Sequence, residues 1–242
     1  MKKAIYVLFS VLLTASLISW NWTKTQHPTL EKAEVIECLN METQQAYKLE
    51  AGTPAFAAMH PSPLVVNPEN LLGKMMSFDA ADGKQANAYF IAAKKKSNKY
   101  LIVIQEWWGL VPHIKDIADR FAAEGFVAIA PDMYHGEVTS EPDLAGKLLM
   151  SMNLATAGKD LSGAIDLLQQ RTGNTKVGVT GFCMGGGLAL MAACLRPDAI
   201  AAAAPFYGGM RPDTVIEWDN LAAVVEGHYA ATDRGTAAPE AV

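Results

Sequence analysis

Residues 180 to 187, TGFCMGGG, place a thiol at the centre of a Gly-x-Cys-x-Gly step, with Gly181 and Gly185 flanking Cys183. The run KVGVT before it reads as a strand, and GGGLALMAACL, beginning near Gly186, reads as a helix. A strand that turns sharply into a helix has little room for side chains two positions either side of its central residue, so glycine is needed there. The helix N-terminus beneath the sulfur favours negative charge, which suits both a thiolate and a developing oxyanion. Cysteine is also a better intrinsic nucleophile than serine at neutral pH. The spacing therefore predicts nucleophilic chemistry at Cys183. The alternative is a glycine-rich turn carrying a buried cysteine, as in nucleotide-binding folds, but G-x-G-x-x-G needs a different spacing and no acidic ribose ligand is evident.

A second chemical candidate is Glu106 in QEWWGL, which follows the apolar run YLIVIQ. Open α/β sheets bind ligands beyond the carboxyl ends of their strands, and a carboxylate there must be solvated, paired or functional. A structural salt bridge is the competing role. Of the histidines, His228 falls within or at the end of a strand and is poorly placed as a general base, while His113 opens a helix and His135 lies in a loop, where a structural or exposed histidine is commoner. Cys194 reads as a small buried hydrophobe on the helix after Cys183. Cys38 lies in a segment without assignable structure. No two cysteines and no pair of histidines have metal-ligand spacing, so neither a metal nor another cofactor is expected.

These residues must be held by a sheet. The runs MMSF and NAYFIA, separated by Asp82-Gly83, read as a hairpin, and YLIVIQ, FVAIAPD, KVGVTGF, AIAAAAPFYGG and LAAVVEGHYA read as further strands. Between them, Ile114, Ile117, Ala118, Phe121 and Ala122 recur at helical spacing, with Pro112 suited to the first turn and Gly125 to the C-cap. A second helical pattern runs from about Lys159 to Gln170, through Leu161, Ala164, Ile165 and Leu168. Strands alternating with helices imply right-handed parallel crossovers. The fold class expected is α/β: a doubly wound, mostly parallel sheet flanked by helices, with an antiparallel start.

The 242 residues, half of them hydrophobic, suit one α/β domain with an N-terminal extension. The opening MKKAIYVLFSVLLTASLIS has the charged start and short apolar core of a secretory signal, so residues 1–19 are expected to direct export to the periplasm or beyond. The alternative is a retained membrane anchor, although the apolar stretch falls short of the roughly 20 residues that span a bilayer. Residues 20–70, broken by Thr53-Pro54, His60-Pro61-Ser62-Pro63 and Asn67-Pro68, read as a linker or irregular wrap, and 71–242 as the catalytic domain. The formal charge of −5, which becomes two units more negative without Lys2 and Lys3, argues against a nucleic-acid partner. A monomer acting on a small molecule is expected.

Four stretches in order, QEWWGL, PDMYHG, GFCMGGG and GHYAATD, make the chain from about Leu72 onward resemble the dienelactone hydrolase family of the α/β-hydrolase superfamily. The resemblance implies hydrolysis of small esters or lactones through an acyl-enzyme. It makes Cys183 the nucleophile, Asp233 in GHYAATD the acid that orients a histidine, and Glu106 the glutamate that interacts with the resting thiol. The backbone N–H groups of Met184 and Trp107 would form the oxyanion hole. Trp108, Tyr134 and His135 would line the substrate pocket, although tryptophans after a strand are as often plain packing, and a surface turn residue is the competing role for Asp233.

Two departures follow. Dienelactone hydrolases proper carry an arginine after a PDLY-like stretch, whereas PDMYHGE offers His135, Gly136 and Glu137, so neutral substrates are expected. The family's base histidine follows another crossover and strand, yet no histidine follows Asp233 in this sequence. The last helix and strand are therefore expected to be missing, leaving the active site incomplete. The other function class consistent with these departures is a catalytically inactive α/β-hydrolase-like binding or interaction module.

Overall fold

The computed structural model describes residues 62–173, 176–209 and 216–230. The expected signal segment 1–19, most of the N-terminal extension, Cys38 and Asp233 lie outside the described residues.

Strands β1 (Lys74–Asp79) and β2 (Gln85–Ile91) form the antiparallel hairpin expected around Asp82-Gly83, where Gly83 takes a φ of 78°. Beyond it come β3 (Tyr100–Ile104), helix α1 (Pro112–Ala123), β4 (Val127–Pro131), α2 (Pro142–Ser151), α3 (Leu154–Thr172), β5 (Val177–Phe182), α4 (Met184–Leu195), β6 (Ile200–Phe206) and β7 (Val224–Val225). The seven strands form one sheet in the order β1-β2-β4-β3-β5-β6-β7, parallel from β4 onward to β7.

The alternation of side chains along β3 explains how the sheet is covered. Leu101 and Val103 face a cluster with Ile114, Ile117, Ala118 and Ala122 of α1, while Ile102 and Ile104 face a cluster with Leu161, Ile165 and Leu168 of α3 and Leu188 and Ala189 of α4. Both faces of the central strands are thus dry, which is why their sequences are continuous apolar runs. Helix α4 is buried along most of its length despite its three consecutive glycines, poor helix formers in isolation, so packing rather than propensity holds it.

The structure revises three sequence expectations. Helix α3 starts at Leu154 rather than near Lys159, because Asn153 caps it by accepting a hydrogen bond from the Thr156 N–H at 2.9 Å. Helix α2 is an element beyond those expected: Leu144, Ala145, Leu148 and Leu149 form a short stripe, of which Ala145 is buried, Leu148 and Leu149 pack against the core, and Leu144 stays exposed. The last expected strand is reduced to Val224–Val225 and an isolated bridge between Phe206 and His228.

One topological consequence governs function. From β3 the chain crosses through α1 to β4 on one side, then through α2 and α3 to β5 on the other. The winding reverses at β3, which opens a crevice beyond the carboxyl ends of β3 and β5.

Candidate active site

Sheet register brings the candidate residues into that crevice. Ile104 pairs with Gly181 and Phe182 with Phe206. Extending both registers past the strand ends puts Glu106, Cys183 and Tyr207 side by side, one at the exit of each of β3, β5 and β6.

Cys183 occupies the turn between β5 and α4 with φ 54° and ψ −121°, a conformation that L-residues rarely adopt. It is strapped there from both directions. Its N–H donates to the Phe206 carbonyl at 3.0 Å, and its own carbonyl accepts from the Gly186 N–H at 2.9 Å. A side chain at position 181 would overlap the Gly185 carbonyl, and one at 185 would lie 2.5 Å from the carbonyl oxygens of both Ile104 and Gln105. The two glycines let the first turn of α4 sit directly over the end of β3. Gly186 and Gly208 allow the same close approach to β6.

Gly185→Ala is accordingly expected to destabilise the fold by about 1–3 kcal/mol, since both atoms it would meet are backbone carbonyls rather than flexible side chains. Calorimetry should show the melting temperature falling by several degrees. An unchanged melting temperature would mean that helix and strand separate without cost.

Met184, at the first position of α4, is buried, and its Sδ accepts a hydrogen bond from the buried Tyr134 hydroxyl at 3.2 Å. Backbone N–H groups in a first helical turn have no intrahelical acceptor, so that of Met184 suits an incoming oxyanion. The loop that carries Tyr134 is held by Asp132, which accepts from the N–H groups of Tyr134 at 3.1 Å and Gly136 at 2.7 Å. It is also tied to β3 by the Met133 N–H, which donates to the Gln105 side chain at 3.3 Å.

Glu106 is half-buried, and its Oε1 accepts a hydrogen bond from the Tyr207 hydroxyl at 2.6 Å. No motif in the chain marks Tyr207. The one local signal was its place immediately after the strand run, in PFYGG, level with the residue after β5. Its phenol is pushed well above the ordinary tyrosine range, by burial first and then by the Glu106 carboxylate and Cys183.

The remaining candidates have other company. Trp107 and Trp108 are buried in the apolar cluster beneath α1, their rings edge to face at 4.9 Å. His135 directs Nε2 toward Asp160 of α3 at 3.2 Å, and burial holds that carboxyl above the usual aspartate range while His135 opposes the shift. His228 stacks on Phe206 with ring centroids 4.2 Å apart and lies 3.7 Å from Glu226. Cys194 is buried, and burial raises its thiol pKa. Among the described residues no cluster of His, Cys, Asp or Glu is arranged to hold a metal ion, and no helix is long and apolar enough to cross a membrane.

Residues 86–241 match the dienelactone hydrolase family. The protein named usf from Aquifex pyrophilus is 43% identical over 158 residues, covering 62% of this chain and 67% of that one. A provisionally named carboxymethylenebutenolidase from Aquifex aeolicus is 38% identical over 145 residues, covering 57% and 62%. The crystal structure of a provisionally named dienelactone hydrolase from Klebsiella pneumoniae superposes with a TM-score of 0.58 at 26% identity, covering 68% of this chain and 75% of that one. The chain thus spans 67% and 62% of the length of these two Aquifex relatives. With the match running from β2 through the thiol-bearing turn and past β7, the chain belongs to the dienelactone hydrolase family, and its mostly parallel sheet is the α/β-hydrolase fold.

Proposed function

We propose that this protein hydrolyses small neutral esters or lactones, with Cys183 as the nucleophile and a thioester acyl-enzyme as the intermediate. The observation that carries this reading is the strained turn at φ 54°, which holds Cys183 at the N-terminus of α4 in the crevice where the strand order reverses. Strain of that kind persists where the surrounding structure over-determines it, and it collects at active sites.

In the first half-reaction the Cys183 sulfur, as thiolate, forms a bond to the substrate carbonyl carbon. The carbonyl π pair moves onto oxygen, where the Met184 N–H and, in this reading, that of Trp107 receive it. Collapse of the tetrahedral adduct breaks the bond to the leaving oxygen, which departs as an alkoxide and takes up a proton. In the second half a water molecule adds to the thioester, the C–S bond breaks, and acid is released as the thiol reforms. Asp233 is the acid assigned by family resemblance to orient the base.

Neutral substrates are favoured because His135, Gly136 and Glu137 stand where a carboxylate-binding arginine would be needed, and His135 is engaged with Asp160. The test uses an activated neutral aryl acetate beside an analogue with a carboxylate on its acyl group. After acid quenching, peptide mass spectrometry should find acyl groups on Cys183, formed faster from the neutral ester. Acylation of Cys194 instead would refute the nucleophile assignment, and faster reaction of the anion would refute the substrate class. No acylation at all would leave a binding module as the better account.

A further inference from the structure

Three non-glycine residues among those described have positive φ: His135 at 53°, Cys183 at 54° and Tyr207 at 38°. Two of the three thus lie next to each other, at the exits of the neighbouring parallel strands β5 and β6. Cys183 is explained by the chemistry above, whereas nothing so far uses Tyr207.

The backbone of Tyr207 is fixed on both sides. Its N–H donates to the His228 carbonyl at 2.7 Å, and the Phe206 carbonyl just before it accepts from the Cys183 N–H at 3.0 Å. Its neighbour Gly208 packs against the backbone of Gly186 in the first turn of α4, where a side chain at 208 would come within 2.6 Å of the Gly186 carbonyl carbon. The elements that hold the nucleophile turn therefore also hold the phenol. From this position the hydroxyl reaches across the sheet to Glu106 at 2.6 Å, a contact between residues 101 apart in sequence.

We propose that Tyr207 is a positioning residue for the reaction: by donating to Glu106 it holds that carboxylate in place and damps its negative charge beside Cys183, thereby easing ionisation of the thiol. The proposal rests on Cys183 being the nucleophile. A carboxylate next to a thiol opposes thiolate formation, because two like charges in a partly dry site repel. A strong neutral donor on the carboxylate spreads that charge and weakens the repulsion. The donor itself must keep its proton, and here burial, Glu106 and Cys183 all act to keep the phenol protonated. Among the described residues these two are the ionisable groups acting on it, with Glu106 at the exit of β3 and Cys183 at the exit of β5.

The test is the pH dependence of Cys183 alkylation by iodoacetamide in the full chain, read peptide by peptide so that Cys194 serves as the internal reference. Tyr207→Phe keeps the ring and removes only the hydroxyl, and 40% of the residue is already exposed, so the fold should tolerate it. The alkylation midpoint is expected to move upward by about one pH unit, slowing the reaction near neutrality roughly tenfold. Glu106→Gln should move it the other way, and in the Glu106→Gln background the added Tyr207→Phe change should have little effect. A Tyr207→Phe profile superimposable on that of the unaltered protein, or a shift of equal size without Glu106, would overturn the proposal while leaving the nucleophile assignment standing. If Tyr207→Phe failed to fold, Glu106→Gln would still decide, because an unmoved or upward midpoint contradicts the proposed charge coupling. A Cys183 no more reactive than Cys194 in the unaltered protein would defeat both readings.

Discussion

Cys183→Ala is expected to abolish the burst of aryl alcohol released when the folded protein meets an activated aryl ester. The rate should fall by roughly four orders of magnitude or more, toward the residual that oxyanion donors sustain without a nucleophile. The assay isolates the nucleophile for a physical reason. An activated aryl oxide leaves as the anion, so acylation makes no demand on a general acid, and the burst reports attack by sulfur alone. Alanine should fit the turn, because the backbone there is held by Phe206 and Gly186 rather than by the side chain. Circular dichroism should therefore be unchanged. A loss of less than tenfold would place the chemistry elsewhere in the chain.

Met184→Pro should lower the acylation rate by about 10²–10³-fold, the usual consequence of deleting one oxyanion donor. Proline removes the N–H at that position and nothing else of the backbone. Met184 is the first residue of α4, where proline's fixed φ suits the helix and its missing N–H breaks no helical bond. The ψ of −121° at the preceding Cys183 eclipses its Cβ with the following nitrogen, where the proline Cδ presses on it, so a control for distortion of the turn is needed. Alkylation by iodoacetamide, which builds no oxyanion, supplies the control: it should proceed at close to the original rate. Equal loss in both assays would show that the turn had been distorted. An unaltered acylation rate would remove Met184 from the oxyanion site.

Much of this arrangement is legible in the chain because its causes are local. A parallel strand dry on both faces must be apolar at nearly every position, and the runs of β3, β4 and β5 stand out between helical patterns. The elbow is legible because the glycines that permit it lie within two residues of the thiol they serve. Glu106 is legible because a carboxylate directly after a buried strand needs a reason. Helix α2 left a weaker mark, since Leu144, Ala145, Leu148 and Leu149 make only a short stripe and Leu144 faces solvent. The start of α3 was obscured because its first turns, LATAGK, present mostly small residues and depend on the Asn153 cap.

By itself, then, the sequence determined the alternation of strands and helices, the thiol-bearing turn and the candidate carboxylate, because each is set by residues near one another in the chain. The partner of that carboxylate was decided only by tertiary structure. Tyr207 meets Glu106 because β3, β5 and β6 lie adjacent in this register, and a one-residue slip of β6 would turn its side chain to the opposite face of the sheet. Register between strands separated by whole helices depends on how both faces of the sheet pack, a property of the assembled core that no local pattern in the chain encodes.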